Sequence, residues 1–209
     1  MSALYPVFLK LDGLPVVVVG AGPVADQKLD GLVTAGARIT VIAPDITPAI
    51  AARAARGEVT IIAREFADGD LDGARWVVAA APPAINRAVA AAAAARNLFV
   101  NAVDDPEPAS AYLGGVIRRA GVTIAISTSG DAPALTGLIR EALDALLPDS
   151  AELTRWFDVA RAARAEWKAR LVPMAERRPL LLRKLFHLYE SRTTTLPAPT
   201  AAASLGATP

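Results

Sequence analysis

The chain has 209 residues, of which 53% are hydrophobic, and its 22 basic and 21 acidic side chains leave a formal net charge of +1. This length fits one large domain or a domain with a small extension, and the balanced charge gives no reason to expect nucleic acid or an anionic membrane as a partner. The lack of cysteine excludes disulfides, thiolate metal sites and cysteine nucleophiles. No apolar run reaches the roughly 20 residues that cross a bilayer, and the start of the chain has no signal-peptide pattern, so a cytoplasmic location is expected.

Strand and helix patterns alternate through the first half of the sequence. Apolar runs with strand character lie at 14–22, 37–45, 58–66, 74–81 and 98–103. Segments with helical spacing lie between them, at 23–36, 46–57 and 83–97. Because continuous apolar strands separated by helices are typical of parallel sheets covered on both faces, residues 1–110 are predicted to form an α/β domain around a parallel sheet.

The alternation stops after the fifth strand. Two strands around a turn at Ala120-Gly121, followed by a helix, are predicted for the next stretch, and only helical spacing follows them. The end of the chain, rich in Thr, Ala and Pro, has the composition of a disordered tail. We therefore predict a small α+β region at 111–148, a helical C-terminal part at 149–192 and the tail at 193–209.

The sequence GAGPVA, which begins at Gly20, joins the first strand to the first helix and matches the pattern G-x-G-x-x-A. Gly20 permits the tight turn, Gly22 lets the backbone approach a pyrophosphate, and Ala25 lets the helix pack on the strand. A helix that starts at Pro23 and Val24 offers unpaired N–H groups to the phosphates. This strand–turn–helix context predicts a Rossmann-like dinucleotide site, with a turn that binds nothing as the alternative.

The second predicted strand ends in Pro44 and Asp45. An acidic residue at this point of a dinucleotide-binding unit commonly binds the adenosine ribose, so Asp45 either binds the ribose or stands in a backbone wall of the adenosine site. The sequence has no Arg or Lys between Ile39 and Arg53 to meet a 2′-phosphate, which favours NAD over NADP.

Two further groups are candidates for binding an anionic ligand. Ser127 and Thr128 begin the stretch STSGDAP before a predicted helix, and they either cap that helix or bind a substrate carboxylate or phosphate. Arg118 and Arg119 form a pair that is either solvated surface or a contact for a polyanion. The single histidine, His187, has no second histidine and no cysteine to join it, so no protein metal site is predicted.

Taken together, these segments resemble the precorrin-2 dehydrogenase/sirohydrochlorin ferrochelatase family, which includes the N-terminal part of siroheme synthase. The matching stretches are, in the family's order, YPVFLKLDGLPVVVVGAGPVADQK (5–28), AGARITVIAPD (35–45), FVNAVDDPEPASAY (99–112) and ISTSGDAPALTGLIREAL (126–143). The Tyr-Pro-x-Phe opening and the Asn-x-Val-Asp segment are the most specific of them.

The resemblance implies a homodimer in which an NAD-binding Rossmann domain is joined to a dimerisation region and a helical C-terminal part. It implies oxidation of precorrin-2 to sirohydrochlorin with NAD, on the route to siroheme or cobalamin, and in some members insertion of ferrous iron or cobalt. The family's active-site aspartate falls on Asp104, its NAD contacts on 20–24 and on Pro44 and Asp45, and its serine-rich loop on 127–131.

The implied substrate is a polycarboxylate, so basic residues are expected along its cleft. Arg118, Arg119 and Arg140 are the candidates from the middle region. Asp105 precedes a proline and is predicted to shape a turn. Two alternatives stay open: a non-catalytic NAD-sensing protein whose helical part is an interaction module, and an NAD dehydrogenase for another small molecule.

Overall fold

The computed structural model of the chain describes residues 4–103 and 107–193, with side chains as far as residue 186. Its strands are β1 (Pro15–Val19), β2 (Arg38–Ile42), β3 (Val59–Ile62), β4 (Trp76–Ala79), β5 (Val100–Ala102), β6 (Gly115–Arg119) and β7 (Val122–Ile126). Its helices are α1 (Pro23–Thr34), α2 (Pro48–Ala55), α3 (Pro83–Ala94), α4 (Pro133–Leu146), α5 (Ser150–Ala169) and α6 (Met174–Thr193).

The first five strands form one parallel sheet in the order β3-β2-β1-β4-β5. The chain moves outward from β1 to β3 on one side and then crosses back to β4 on the other side of β1. Between β1 and β4 the order reverses, and ligands of such sheets bind in the crevice that this reversal leaves at the carboxyl ends of the strands. The predicted α/β fold with a Rossmann-like parallel sheet and a helical C-terminal part is confirmed.

Both faces of this sheet are covered, as the continuous apolar runs indicate. On one face, Val16 and Val18 of β1 pack in a cluster with Leu29 of α1 and Ile50 of α2. On the other face, alternate residues of β1 join β4, β5 and the alanine-rich α3 in a second cluster. Because helices cover both faces of the sheet, a ligand can reach the backbone at the ends of the strands.

A short 3-10 helix (Asp68–Leu71) stands where no element was predicted. The Asp70 carboxylate accepts a 2.8 Å bond from the Ala67 N–H and bonds of 2.5 and 2.8 Å from the Arg64 guanidinium. Leu71 is fully buried in the second cluster. A segment rich in Asp and Gly predicts a loop. One buried leucine and one hydrogen bond between the Ala67 N–H and Asp70 leave no periodic signal in the sequence that would indicate a helix.

The second half of the chain begins with the predicted hairpin of β6 and β7. Ala120 and Gly121 both have positive φ, 44° and 86°, which is the geometry of a tight two-residue hairpin turn. In α5, Asp149 caps the N-terminus by accepting a 2.8 Å bond from the Glu152 N–H. Helices α5 and α6 are joined by a short turn, and Lys184 of α6 forms an ion pair of 2.8 Å with Glu166 of α5.

By its internal contacts the chain divides into two compact units. One comprises Met1–Gly115 with Ala125–Ile139, and the other comprises Val116–Ile124 with Arg140–Pro209. The region predicted at 111–148 is thus shared between both units. Residues 194–209 of the predicted tail lie outside the described residues. Across the described part of the chain, no helix is both long and apolar enough to cross a membrane.

Candidate cofactor site

Gly20 follows β1 and turns the chain away from the sheet. Its φ is +108°, its N–H donates a 2.8 Å bond to the carbonyl of Ile42, and a Cβ at this position would stand 2.2 Å from the carbonyl oxygen of Ala80. A side chain is therefore excluded both by the backbone conformation and by the neighbouring strand end. The predicted role of Gly20 in the tight turn agrees with this geometry.

Gly22 differs from Gly20 in both respects. Its φ of −83° and ψ of −177° are open to any residue, and a Cβ there would meet no described atom within 4 Å. It is the N-cap of α1, and no described side chain caps the helix there. Pro23 takes the first helical position, where an N–H is not needed. The empty space and the positive end of α1 together suit a pyrophosphate, so the residues present fit a dinucleotide.

A cleft of about 440 Å³ opens beside this loop. It lies at the carboxyl ends of β4 and β5, next to the point where the strand order reverses, and it is where the predicted nicotinamide end of the cofactor would go. Val24, predicted from the glycine motif, is one of its walls and is 39% exposed. The lining residues are Val24, Ala80, Ala81, Pro83, Asn86, Arg87 and Val103.

The two polar side chains of this lining were not predicted from the sequence. Asn86 of α3 is 2% exposed, and Arg87 next to it is an exposed cation. Asn86 accepts a 2.9 Å bond from the Ala81 N–H and donates a longer one, 3.4 Å, to the Val103 carbonyl. The available signal was an asparagine and an arginine that interrupt an alanine-rich helix just after the fourth strand.

Pro44 and Asp45 stand just beyond the end of β2. Ala43 before them is buried, and both residues are exposed at the same edge of the sheet as Gly22. This placement is compatible with the predicted contact to the adenosine ribose, which stays a prediction.

Arg53 of α2 is held by carboxylates from three places in the chain. Its guanidinium lies 2.6 Å from Asp26, 2.6 Å from Asp30 and 3.1 Å from Glu58. The hydrogen bond with Asp26, followed by that with Asp30, raises the pKa of Arg53 above its ordinary value. Arg56 and then Arg53 lower the pKa of Glu58 in turn. Arg53, the first arginine after β2, therefore uses its guanidinium to hold α1, α2 and the segment just before β3 together.

The chain on either side of residues 104–106 is held at β5. Val100 donates a 2.8 Å bond to the Ser110 hydroxyl and accepts bonds of 3.0 Å from the N–H groups of Ser110 and Ala111. Asn101 donates a 3.0 Å bond to the Ala111 carbonyl, while its own buried amide oxygen has no partner among the described atoms. Asp104 and Asp105, the predicted catalytic and turn residues, lie outside the described residues.

The stretch STSGDAP borders a second cavity of about 280 Å³, and both Ser127 and Thr128 line it. The Thr128 hydroxyl lies 2.9 Å from that of Thr136 and accepts a 3.3 Å bond from the Ala132 N–H just before α4. Thr128 therefore holds the turn that leads into this helix, and the two roles predicted for the stretch stay predictions. The Ser127 hydroxyl accepts a 3.1 Å bond from the Ser129 N–H and remains beside the cavity.

The three arginines predicted to bind substrate have different surroundings. Arg119 donates to the carbonyls of Leu147 and Pro148, at 3.0 and 3.1 Å, and forms a 2.7 Å ion pair with Asp144. Its guanidinium thus holds the C-terminal end of α4, and the predicted contact between Arg119 and the substrate stays a prediction. Arg118 is exposed, and Arg140 is paired only loosely, at 3.2 Å, with its neighbour Glu141.

Within the described ranges, no group of three or more His, Asp or Glu side chains is placed to hold a metal ion. Among the described residues at the site, the polar groups are the backbone of the glycine loop, the amide of Asn86 and the guanidinium of Arg87.

A parallel sheet with this strand order, a glycine turn and an uncapped helix N-terminus defines a dinucleotide-binding fold. The sequence matches the profile of the NAD(P)-binding family NAD_binding_7 over residues 7–115. The chain belongs to this NAD(P)-binding family.

Several named proteins are similar to the chain. It is 41% identical to siroheme synthase 3 of Aeromonas hydrophila over 175 residues, which are 83% of this chain and 37% of that protein. It is 43% identical to the siroheme synthase of Gluconacetobacter diazotrophicus over 164 residues, 76% of this chain and 35% of that protein. The chain thus spans little more than a third of the curated relatives that it matches.

A solved structure is similar over nearly its whole length. SirC, described as a precorrin-2 dehydrogenase, superposes with a TM-score of 0.68 at 26% identity, over 86% of this chain and 88% of that one. These similarities confirm the resemblance that the sequence motifs indicate.

Proposed function

We propose that this chain oxidises precorrin-2 to sirohydrochlorin with NAD as the hydride acceptor. The observation that carries the proposal is the open space at Gly22, at the N-terminus of α1, with a cleft nearby that is lined by Val24 of the same helix and by Val103 after β5. The likeness to a precorrin-2 dehydrogenase over most of both chains, and to siroheme synthases, supports precorrin-2 as the substrate.

The bound dinucleotide supplies the hydride acceptor, and the chain supplies binding, orientation and a proton acceptor. The N–H groups at the start of α1 would bind the pyrophosphate, and Val24 and Ala81 would line the nicotinamide end. We assign the proton acceptor to Asp104, which follows Val103 at the carboxyl end of β5. Loss of a hydride from precorrin-2 is accompanied by loss of a proton, which a carboxylate within hydrogen-bond reach accepts.

The choice of NAD over NADP follows from the carboxylates around Arg53. A 2′-phosphate needs a cation with free donors near the end of β2. Arg53 is only 13% exposed and its donors point at Asp26, Asp30 and Glu58. Asp45, exposed beyond β2, would repel a 2′-phosphate and accept a hydrogen bond from a free ribose hydroxyl.

The polycarboxylate substrate requires cations beside the cofactor cleft. Arg87 is the cationic member of that cleft's lining and is our first candidate for a carboxylate contact. Arg118, Arg140 and the hydroxyl of Ser127 are the further candidates. A cytoplasmic location belongs to the same proposal, because the reaction consumes NAD.

We also propose a homodimer. Tyr5 and Phe8 in the N-terminal segment are 89% and 71% exposed. Leu135 and Leu138, one turn apart on α4, are 49% and 65% exposed. Large apolar side chains at this level of exposure are typical of a surface that a partner covers, and a second copy of the chain is the commonest partner for such a surface.

The proposal is tested by titrating the purified chain with NAD and then assaying precorrin-2 oxidation anaerobically by absorbance. We expect NAD binding and NAD-dependent formation of sirohydrochlorin. A sensor would bind NAD and leave precorrin-2 unchanged. A dehydrogenase of another small molecule would also bind NAD and leave precorrin-2 unchanged, and it would reduce NAD only when its own substrate was added. Ferrous or cobaltous ion added after the oxidation reports whether the chain also inserts metal.

A further inference from the structure

The side-chain amide of Asn86 is a buried link between the ends of two neighbouring strands. Its oxygen accepts the 2.9 Å bond from Ala81, just after β4, and its nitrogen donates the 3.4 Å bond to the carbonyl of Val103, just after β5. It is 2% exposed, yet it lines the cofactor cleft. An asparagine can make both bonds at once because its amide carries an acceptor and a donor.

The segment that Asn86 holds also touches the phosphate loop. The Ala80 N–H donates a 2.8 Å bond to the Val19 carbonyl at the end of β1, and the Ala80 carbonyl lies against Gly20. On the other side, the Val103 N–H donates a 2.9 Å bond to the Ala79 carbonyl. A continuous set of contacts therefore runs from Gly20 through Ala80 and Ala81 to Asn86, and the longer 3.4 Å bond extends it from Asn86 to Val103.

We propose that Asn86 is a positioning residue for hydride transfer, which sets the floor of the cleft under the nicotinamide end of the dinucleotide relative to the end of β5. This inference rests on the proposed function. The glycine loop locates the cofactor, and Val103 precedes Asp104, the residue assigned to proton transfer. Asn86 fixes the distance between the glycine loop and Val103. Small displacements between reacting groups lower turnover steeply, whereas binding of the rest of the dinucleotide depends on the glycine loop and α1.

The tests are Asn86→Leu, which keeps the side-chain size and removes both hydrogen bonds, and the smaller Asn86→Ala. Val89→Ala is the matched control, because Val89 is a fully buried residue of the same helix that does not line the cleft. Truncation of the Val89 side chain weakens the packing of α3 and leaves the hydrogen bonds of Asn86 in place. Thermal unfolding of all variants shows whether their stability losses are comparable.

For Asn86→Leu and Asn86→Ala we expect kcat for precorrin-2 oxidation to fall by about tenfold or more, with the Kd for NAD changed by less than about threefold. Amide exchange at Ala81 should become faster in both variants. NAD should slow amide exchange at Val103 in the unchanged protein and lose that effect in the variants. Val89→Ala should keep turnover and the Val103 response.

Equal losses of kcat in Val89→Ala and the Asn86 variants, or an unchanged kcat in both Asn86 variants, would overturn the inference. If the unchanged protein does not oxidise precorrin-2, the proposed function fails, and the Val103 exchange response still decides the role of Asn86. A Val103 response to NAD that survives in both Asn86 variants then rejects the link, and its loss supports the link.

Discussion

The carbonyl oxygen of Ala80 would lie 2.2 Å from a Cβ at Gly20, whereas a Cβ at Gly22 would meet no described atom within 4 Å. Two glycines of one motif thus have different reasons to be glycine. At Gly20 the reason is internal to the fold, because β4 ends against the turn. At Gly22 the described atoms give no such reason, and our proposal is that the open space is kept for the pyrophosphate of the dinucleotide.

We expect Gly22→Asp to fold and to weaken NAD binding by about a hundredfold or more, because it places bulk and negative charge at the pyrophosphate position. Calorimetric titration with NAD, together with a circular dichroism spectrum, measures both parts. The contrasting variant is Gly20→Ala, which should lose stability instead, since it combines a clash with a positive φ. Unchanged NAD affinity in folded Gly22→Asp would remove this loop from the site.

Arg53→Met should lower the free energy of unfolding by roughly 1–3 kcal/mol, because three carboxylates lose a partner that is largely shielded from solvent. Chemical denaturation measures this loss. Arg56→Met is the matched control, because Arg56 is 55% exposed and pairs with Glu58 alone, so its effect should be small. Preference for NAD over NADP should survive in Arg53→Met, and a lost preference would show that Arg53 takes part in cofactor selection.

Asp70→Asn should lower stability at neutral pH and have less effect in acid. Arg64 is the main cause, and the Ala67 N–H a further cause, of the lowered pKa of Asp70. A carboxyl with a lowered pKa stabilises the fold above the ordinary pKa of aspartate, and this contribution is lost as the pH falls through the lowered value. Denaturation series at several pH values should therefore show two curves that converge below about pH 4. A difference that stays constant with pH would mean that the charge of Asp70 contributes nothing.

Asp104→Asn should preserve NAD binding and lower precorrin-2 turnover by roughly a hundredfold or more, the scale of a lost general base. Asp105→Asn should cost much less, because that residue is assigned to the turn before Pro106. Steady-state turnover and NAD titration of both variants make the comparison. If Asp105→Asn is the more damaging change, the roles of the two carboxylates are the reverse of those assigned.

In solution the chain should have twice its monomer mass of 21.7 kDa by light scattering at micromolar concentration. Leu138→Glu should shift the chain toward monomer, because it places a charge on the exposed apolar face of α4. Leu171→Glu, at an 86% exposed position in the turn after α5, is the control that should leave the mass unchanged. A monomeric unchanged protein would refute the homodimer.

The structure bears out the sequence most closely where the signal is local. The alternation of apolar strands with helices predicted the parallel sheet, and the tight turn at Ala120-Gly121 was predicted from residue types alone. Strand ends were predicted too long, as at β1, which ends at Val19 before the glycines. Apolar character continues past the last ladder hydrogen bond, so hydropathy does not reveal where pairing stops.

The arginines show why partners are harder to predict than elements. Arg119 looked like half of an exposed pair, but its ion-pair partner Asp144 is 25 residues away in sequence. Arg53 and Asp26 are separated by 27 residues and meet because α1 and α2 cover the same face of the sheet. The ion pairs of Arg53 and Arg119, and the exposure of Arg118, depend on how the helices pack on the strands. They therefore cannot be predicted from the sequence alone.

The sequence by itself determined the class of fold, the glycine turn and the dinucleotide-binding family, because these depend on short-range periodicity and on residues that only a few backbone geometries require. Only the tertiary structure decided which glycine lies against a neighbouring strand end and which faces open space, and that Asn86 joins the ends of β4 and β5. Those facts depend on atoms brought together by the order of strands in the sheet. That order results from how the whole chain packs, so no local stretch of sequence contains it.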